Sequence, residues 1–207
     1  MKLQLALDRL TREKCLQVLE ETQDSVDIIE VGTGVIKEYG MSIVREIRAN
    51  YPNKKLLADM KTCDAAAHET KQALKAGADI TTVMAFSDDA SIRQALEAAE
   101  EINGEIMLDL LNTPESRIQE LHELGVKLVS LHIGKDQQEN QKLGKKDFDK
   151  IKPFPAIKVA VAGGLNADTI ADIKVYEPSI LIVGSAITGA NNPAEAAKAV
   201  KEAMQSE

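Results

Sequence analysis

The sequence predicts an α/β protein, a single (β/α)8 TIM barrel spanning residues 1–207. Strand-length apolar runs alternate with amphipathic helical stretches eight times along the chain, and no proline- or serine-rich linker divides them. Polar residues recur where the runs end. Strict alternation with right-handed crossovers requires a parallel sheet covered by helices, and eight such units close into a barrel. An open doubly wound sheet is the alternative. The absence of a GxGxxG motif after the first run weighs against its dinucleotide-binding version.

The elements follow in order. Leu3 to Leu7 is a strand ending in Asp8, and Thr11, ahead of Glu13 and Lys14, opens a helix to Thr22. Val26 to Val31 is the second strand, ending in Gly32-Thr33-Gly34, with a helix from Met41 to Asn50 that stops at Tyr51-Pro52. The third strand is the apolar run Leu56 to Ala58, and its helix spans Ala65 to Ala76, with Gly77 in the left-handed position that ends it. Asp79 to Val83 is the fourth, followed by a helix capped by Asp88 or Asp89 and reaching Ile102. Glu105 to Leu110 is the fifth, with a helix from Pro114 to Leu124. Lys127 to His132 is the sixth, and its polar connection through Phe148 reads as a longer loop with a short helix. Ile157 to Val161 is the seventh, followed by Gly163-Gly164 and a helix opened by Asn166. Ser179 to Val183 is the eighth, ending in Gly184-Ser185, and a last helix runs from Pro193 to Met204.

Composition narrows the function. A formal charge of −8, no Lys/Arg-rich block, three Phe, three Tyr and no Trp leave little to hold a phosphate backbone or stack on bases, so no nucleic-acid partner is expected. No apolar run approaches the roughly 18 residues of a spanning helix, and Met1 to Leu10 lacks a basic-then-apolar leader pattern. Cys15 and Cys63 have no metal-ligand spacing. The expectation is a cytoplasmic protein with reduced thiols and no membrane partner.

The chemistry collects at strand ends. Leu56-Leu57-Ala58 breaks off into Asp59, Lys61 and Asp64. Asp59 and Lys61, at i and i+2, point to one side of a strand, and with Asp64 on the following loop two carboxylates flank one ammonium. Taken alone, that stretch fits a plain ion pair capping a strand equally well. The pattern repeats, however, with Asp8, Glu30, Asp109 and His132 at other strand ends. In a barrel those ends share one face, the active one. Glu30 and Asp59, on neighbouring strands, make a hard-oxygen pair suited to one Mg²⁺ and unlike a zinc site. Loops after strands seven and eight commonly bind phosphate through backbone amides, which makes Gly163, Gly164, Gly184 and Ser185 the phosphate-site candidates. His68 and His122 fall within helices, leaving His132 as the candidate for proton transfer near neutral pH. A Schiff-base role for Lys61 is disfavoured, because neighbouring carboxylates hold its amine protonated.

Asp8, the stretch Asp27-Ile28-Ile29-Glu30-Val31-Gly32-Thr33, Asp59-Met60-Lys61 with Asp64, and the Gly163-Gly164 and Gly184 pattern resemble the orotidine 5′-monophosphate decarboxylase suprafamily of barrels. The DxKxxD signature belongs to the suprafamily rather than to one reaction. Asp109 and His132-Ile133-Gly134-Lys135-Asp136 look most like its formaldehyde-fixing aldolase branch. The branch that decarboxylates 3-keto-L-gulonate 6-phosphate carries Glu where this chain has Asp109 and Arg where it has Lys135. The phosphate-gripping Arg of the orotidylate enzymes is missing from residues 162–167. The resemblance implies a Mg²⁺-dependent, reversible condensation of formaldehyde with D-ribulose 5-phosphate. It further implies catalytic roles for Asp8, Lys61, Asp64, Asp109 and His132, and a homodimer in which Asp64 reaches the partner's site.

Overall fold

A computed structural model describes residues 1–206. Eight parallel strands close into a barrel in chain order: β1 Lys2–Leu7, β2 Ile28–Val31, β3 Lys55–Thr62, β4 Ile80–Met84, β5 Glu105–Asp109, β6 Leu128–His132, β7 Lys158–Ala162 and β8 Ile180–Val183. β8 returns to β1, with Lys2 opposite Ile180. Around it lie α1 Arg12–Thr22, α2 Thr33–Tyr39, α3 Met41–Asn50, α4 Ala66–Lys75, α5 Asp89–Glu100, α6 Arg117–Glu123, α7 Lys145–Asp149, α8 Ile170–Lys174, α9 Ser185–Thr188 and α10 Pro193–Gln205.

The strands are apolar on both faces because both are covered. Leu3, Leu5 and Leu7 of β1, with Ile29 and Val31 of β2, pack outward against the helices. Ile28, Leu57, Ile80, Met107, Leu128, Ala160 and Ile180 form a separate cluster filling the lumen. Burying an Ile or Leu contributes roughly 1.5 to 3 kcal/mol. The lower lumen thus anchors the barrel and leaves its upper positions to polar groups that cost stability. Those positions continue the same two-residue period: Glu30 follows Ile28, Asp59 follows Leu57, Thr82 follows Ile80 and Asp109 follows Met107.

Thr11, Asp88 and Gly77 take the positions expected of them, and Asn192 adds a cap that was not anticipated. Thr11 Oγ1 accepts from the Lys14 amide, Asp88 Oδ1 from Ala90, and Asn192 Oδ1 from Glu195 ahead of α10, while Gly77 takes φ +112 after α4. Several expectations are corrected. Helix α2 was not anticipated: it follows β2 directly because Gly32 lies against the β1 backbone, where a Cβ would come 2.6 Å from the Leu7 carbonyl oxygen. Helix α9 is also additional and only four residues long. β2 begins at Ile28, since the Asp27 side chain accepts from the Leu3 amide and pairs with Lys201. Helices α6 and α8 begin later than Pro114 and Asn166 imply; Asn166 Oδ1 accepts from the amides of Asp168 and Thr169 and closes a turn ahead of α8 instead.

The largest local departure is in β3. The strand does not stop at Ala58 but runs to Thr62 through a register shift against β4, with Lys61 at φ +48. Asp59 and Lys61 do face one another, through this bulge rather than along a regular strand.

Candidate active site

A cavity of about 480 Å³ opens at the carboxyl ends of the strands, and Asp8, Glu30, Asp59, Lys61, Asp109, His132, Gly163, Gly164, Gly184 and Ser185 all line it. Of the residues singled out in the sequence, Asp64 alone stands outside: it is exposed on the loop after β3.

Lys61 is the hub. Its Nζ lies 3.1 Å from Asp59 Oδ2 and 2.6 Å from Asp109 Oδ2. The second carboxylate on the ammonium is therefore Asp109, two strands away, and not Asp64 as the local spacing predicts. Burial by itself lowers the lysine pKa, but the charges and hydrogen bonds of Asp59 and Asp109 outweigh it and hold the group above its ordinary range. Lys61 is an ammonium throughout the working pH range.

Asp109 accepts from Lys61, from the Leu111 amide at 2.9 Å, and stands 2.9 Å from His132 Nδ1. Burial pushes its carboxyl up, yet the hydrogen bond with His132 and the Lys61 ammonium bring it down to about 2. Asp59 is held by two threonines, Thr82 Oγ1 donating to Oδ1 at 2.7 Å and Thr33 Oγ1 to Oδ2 at 2.8 Å. Asp8 accepts from the Gly34 amide at 3.0 Å and pairs with Arg9 at the rim.

Glu30 differs from these carboxylates. Its contact is with a neutral amide, Gln4 Nε2 donating at 2.5 Å, while Lys61 is committed to Asp59 and Asp109. Burial, then the charge of Asp59, pushes the Glu30 carboxyl up to about 8. A desolvated carboxylate beside another needs a proton or a cation. Gln4 Oε1 is buried without a partner next to it. Glu30 and Asp59 thus fit a hard divalent cation that keeps most of its waters. Among the described residues no three His, Cys, Asp or Glu side chains form a closed metal cage.

Across the cavity, Gly163 at φ +121 and Gly164 at φ +68 turn the backbone in conformations other residues avoid, and Gly184 leads into α9. A Cβ on Gly163 would lie 2.8 Å from the Ile133 carbonyl oxygen. Gly163→Ala is expected to lose about 2 kcal/mol of stability in urea titration and to raise KM for an anionic ligand while leaving kcat nearly intact.

Gln4, Thr33 and Thr82 were not anticipated as site residues. Gln4 and Thr82 share the lumen-facing parity of their strands, so a polar residue on an otherwise apolar inward face was the available signal. Of the other histidines, His68 lies on α4, and His122 on α6 packs against Phe154 with ring centroids 5.1 Å apart. Cys15 is buried and Cys63 exposed, both as free thiols. No helix among the described residues is long and apolar enough to cross a membrane.

An ammonium, buried carboxylates and an imidazole meeting at the carboxyl-terminal mouth of a parallel barrel have the composition and position of an active site of the TIM-barrel class. The chain belongs to the orotidine 5′-phosphate decarboxylase / HUMPS family, whose model matches residues 1–200. It is 38% identical to 3-hexulose-6-phosphate synthase of Staphylococcus aureus (strain USA300) over 211 aligned positions, covering 99% of each chain. Among solved structures, 3-hexulose-6-phosphate synthase from Salmonella typhimurium superposes with a TM-score of 0.92 at 35% identity, covering 99% of both chains. KGPDC from Streptococcus mutans, in a ligand complex, matches with the same TM-score of 0.92 at 30% identity, over 99% of this chain and 97% of that one.

Proposed function

We propose that the chain is an aldehyde-lyase that condenses formaldehyde with D-ribulose 5-phosphate, reversibly and with Mg²⁺, giving D-arabino-hex-3-ulose 6-phosphate through the enediolate of the pentose. The observation that carries this reading is the triad of Lys61, Asp109 and His132 in one cavity with the Glu30 and Asp59 carboxylates and the glycine loops. The names of the relatives support it.

His132 Nδ1–H donates to Asp109, which leaves Nε2 as the basic nitrogen. That nitrogen takes the proton from carbon 1 of the pentose. Lys61 places a fixed positive charge beside the oxygen on which the negative charge develops. Carbon 1 then bonds to the formaldehyde carbon, and the new alkoxide takes its proton from the imidazolium. Glu30 and Asp59 would hold Mg²⁺, whose chemistry there is Lewis acidity toward the substrate's oxygens. The amides of Gly163, Gly164 and Gly184, with Ser185, receive the phosphate. Asp8 orients a substrate hydroxyl. Asp64 would serve a second copy of the chain in a homodimer, a reading that its exposed position outside its own cavity supports.

Formaldehyde consumption with ribulose 5-phosphate is expected with Mg²⁺ and lost in EDTA. No consumption with Mg²⁺ supplied rejects the reading. Release of CO₂ from 3-keto-L-gulonate 6-phosphate in its place assigns the chain to the decarboxylases, the alternative that the KGPDC likeness brings with it.

A further inference from the structure

We propose that Thr82 is a positioning residue whose single hydroxyl locks the β3 bulge and thereby aims the Lys61 ammonium. Between the paired positions Ala58↔Thr81 and Thr62↔Val83, β3 has three residues, Asp59, Met60 and Lys61, and β4 has one, Thr82. A stretch so mismatched cannot continue the ladder, and Lys61 sits in it at φ +48, a conformation L side chains disfavour. Its amide, displaced from strand pairing, donates instead to Thr82 Oγ1 at 2.9 Å. The same oxygen donates its own hydrogen to Asp59 Oδ1 at 2.7 Å. Asp59 in turn accepts from Lys61 Nζ, at 3.2 Å from Oδ1 and 3.1 Å from Oδ2.

These contacts close a ring: the Lys61 backbone is tied to Thr82, Thr82 to the Asp59 carboxylate, and that carboxylate to the Lys61 side chain. A hydroxyl suits this place because it can accept from one group and donate to another at once. Thr82 is buried, so water cannot readily replace it. Without the hydroxyl the Lys61 amide loses its acceptor, the strained conformation loses its tether, and Asp59 keeps Thr33 alone among its hydroxyl donors.

Thr82→Val keeps the shape and removes the hydroxyl; Thr82→Ser keeps the hydroxyl. The kinetic arm rests on the aldolase reading, and amide hydrogen exchange, which needs no turnover, does not. For Thr82→Val, kcat is expected to fall about 100-fold, with KM for ribulose 5-phosphate within about 2-fold of the parent. Exchange at the Lys61 amide accelerates about 100-fold while Thr81 and Val83 stay protected. Thr82→Ser recovers kcat to within about 5-fold and restores protection. Unchanged Lys61 protection in the valine variant, or a serine variant as impaired as the valine one, overturns the proposal. So does loss of protection throughout the chain in both Thr82→Val and Thr82→Ala, which assigns Thr82 to folding alone. Should the parent enzyme not consume formaldehyde, the aldolase reading falls and the exchange arm still decides the role of Thr82.

Discussion

Replacing Lys61 by methionine is expected to lower turnover at least about 10³-fold, because it removes the fixed cation on which the proposed oxyanion depends. Methionine preserves much of the side-chain volume, so the cavity keeps its shape while losing the charge. The effect on stability is separate and also large. Lys61 stands between Asp59 and Asp109 at 3.1 and 2.6 Å, and both carboxylates are buried. Taking away one partner of a buried ionic cluster leaves the others uncompensated, at a cost of about 3 kcal/mol. Urea unfolding at pH 8 should show that loss, and the difference from the parent should shrink toward pH 4 as the stranded carboxylates take up protons. Lys61→Arg is not expected to rescue, since a planar guanidinium fork cannot reproduce the compact ammonium's two contacts. A methionine variant that retains a tenth of the parent turnover would remove Lys61 from the mechanism.

The residues of this cluster were more legible in the sequence than their partnerships. Glu30, Asp59, Asp109 and His132 show themselves because each closes or nearly closes an apolar run, and in a parallel barrel the ends of such runs share one rim. Which carboxylate meets which cation is a different matter. Spacing along one strand pointed to Asp64 as the second neighbour of Lys61, whereas the structure supplies Asp109 from β5. Local spacing relates i to i+2 but not to a side chain brought across the lumen from another strand. The bulge was hidden for the same reason, being a mismatch between β3 and β4 rather than a property of either. Helix α2 went unread because Gly32 supplies no side-chain cap and the helix carries the β-branched Thr33, Val35 and Ile36 in its first half. Its position is set by the close approach of Gly32 to β1, a tertiary contact overriding weak local preference. The long helices α1, α5 and α10 were legible at their starts, from the caps Thr11 and Asp88 and from Pro193 at the first position of α10, where Asn192 adds a cap that was not read.

Glu30→Gln is expected to abolish turnover and yet to stabilise the metal-free chain at alkaline pH, a pairing of effects that follows from the environment of this carboxyl. Burial first, and the charge of Asp59 second, raise it from its ordinary value of 4.5 to about 8, against the smaller opposing pull of Gln4 and Lys61. A group whose pKa is raised on folding contributes its full share of stability below the unfolded value, and that share drains away as pH climbs through the folded one. For Glu30 the window therefore opens near the ordinary carboxyl value and closes at about pH 8. The gap caps the effect at roughly 4 to 5 kcal/mol, and relaxation of the site should leave about half of that. In EDTA, urea titrations of the parent should thus show declining stability between pH 5 and pH 8. The glutamine variant, which keeps an acceptor for Gln4 and has no proton to lose, should decline less and exceed the parent by about 2 kcal/mol at pH 8. Mg²⁺ provides the complementary measurement. A cation binding only the folded chain stabilises it by mass action, so millimolar Mg²⁺ should restore the parent at pH 8 and do little for the variant. If the two proteins follow the same pH curve in EDTA, folding does not raise the pKa of the Glu30 carboxyl. If both respond equally to Mg²⁺, the cation is held elsewhere.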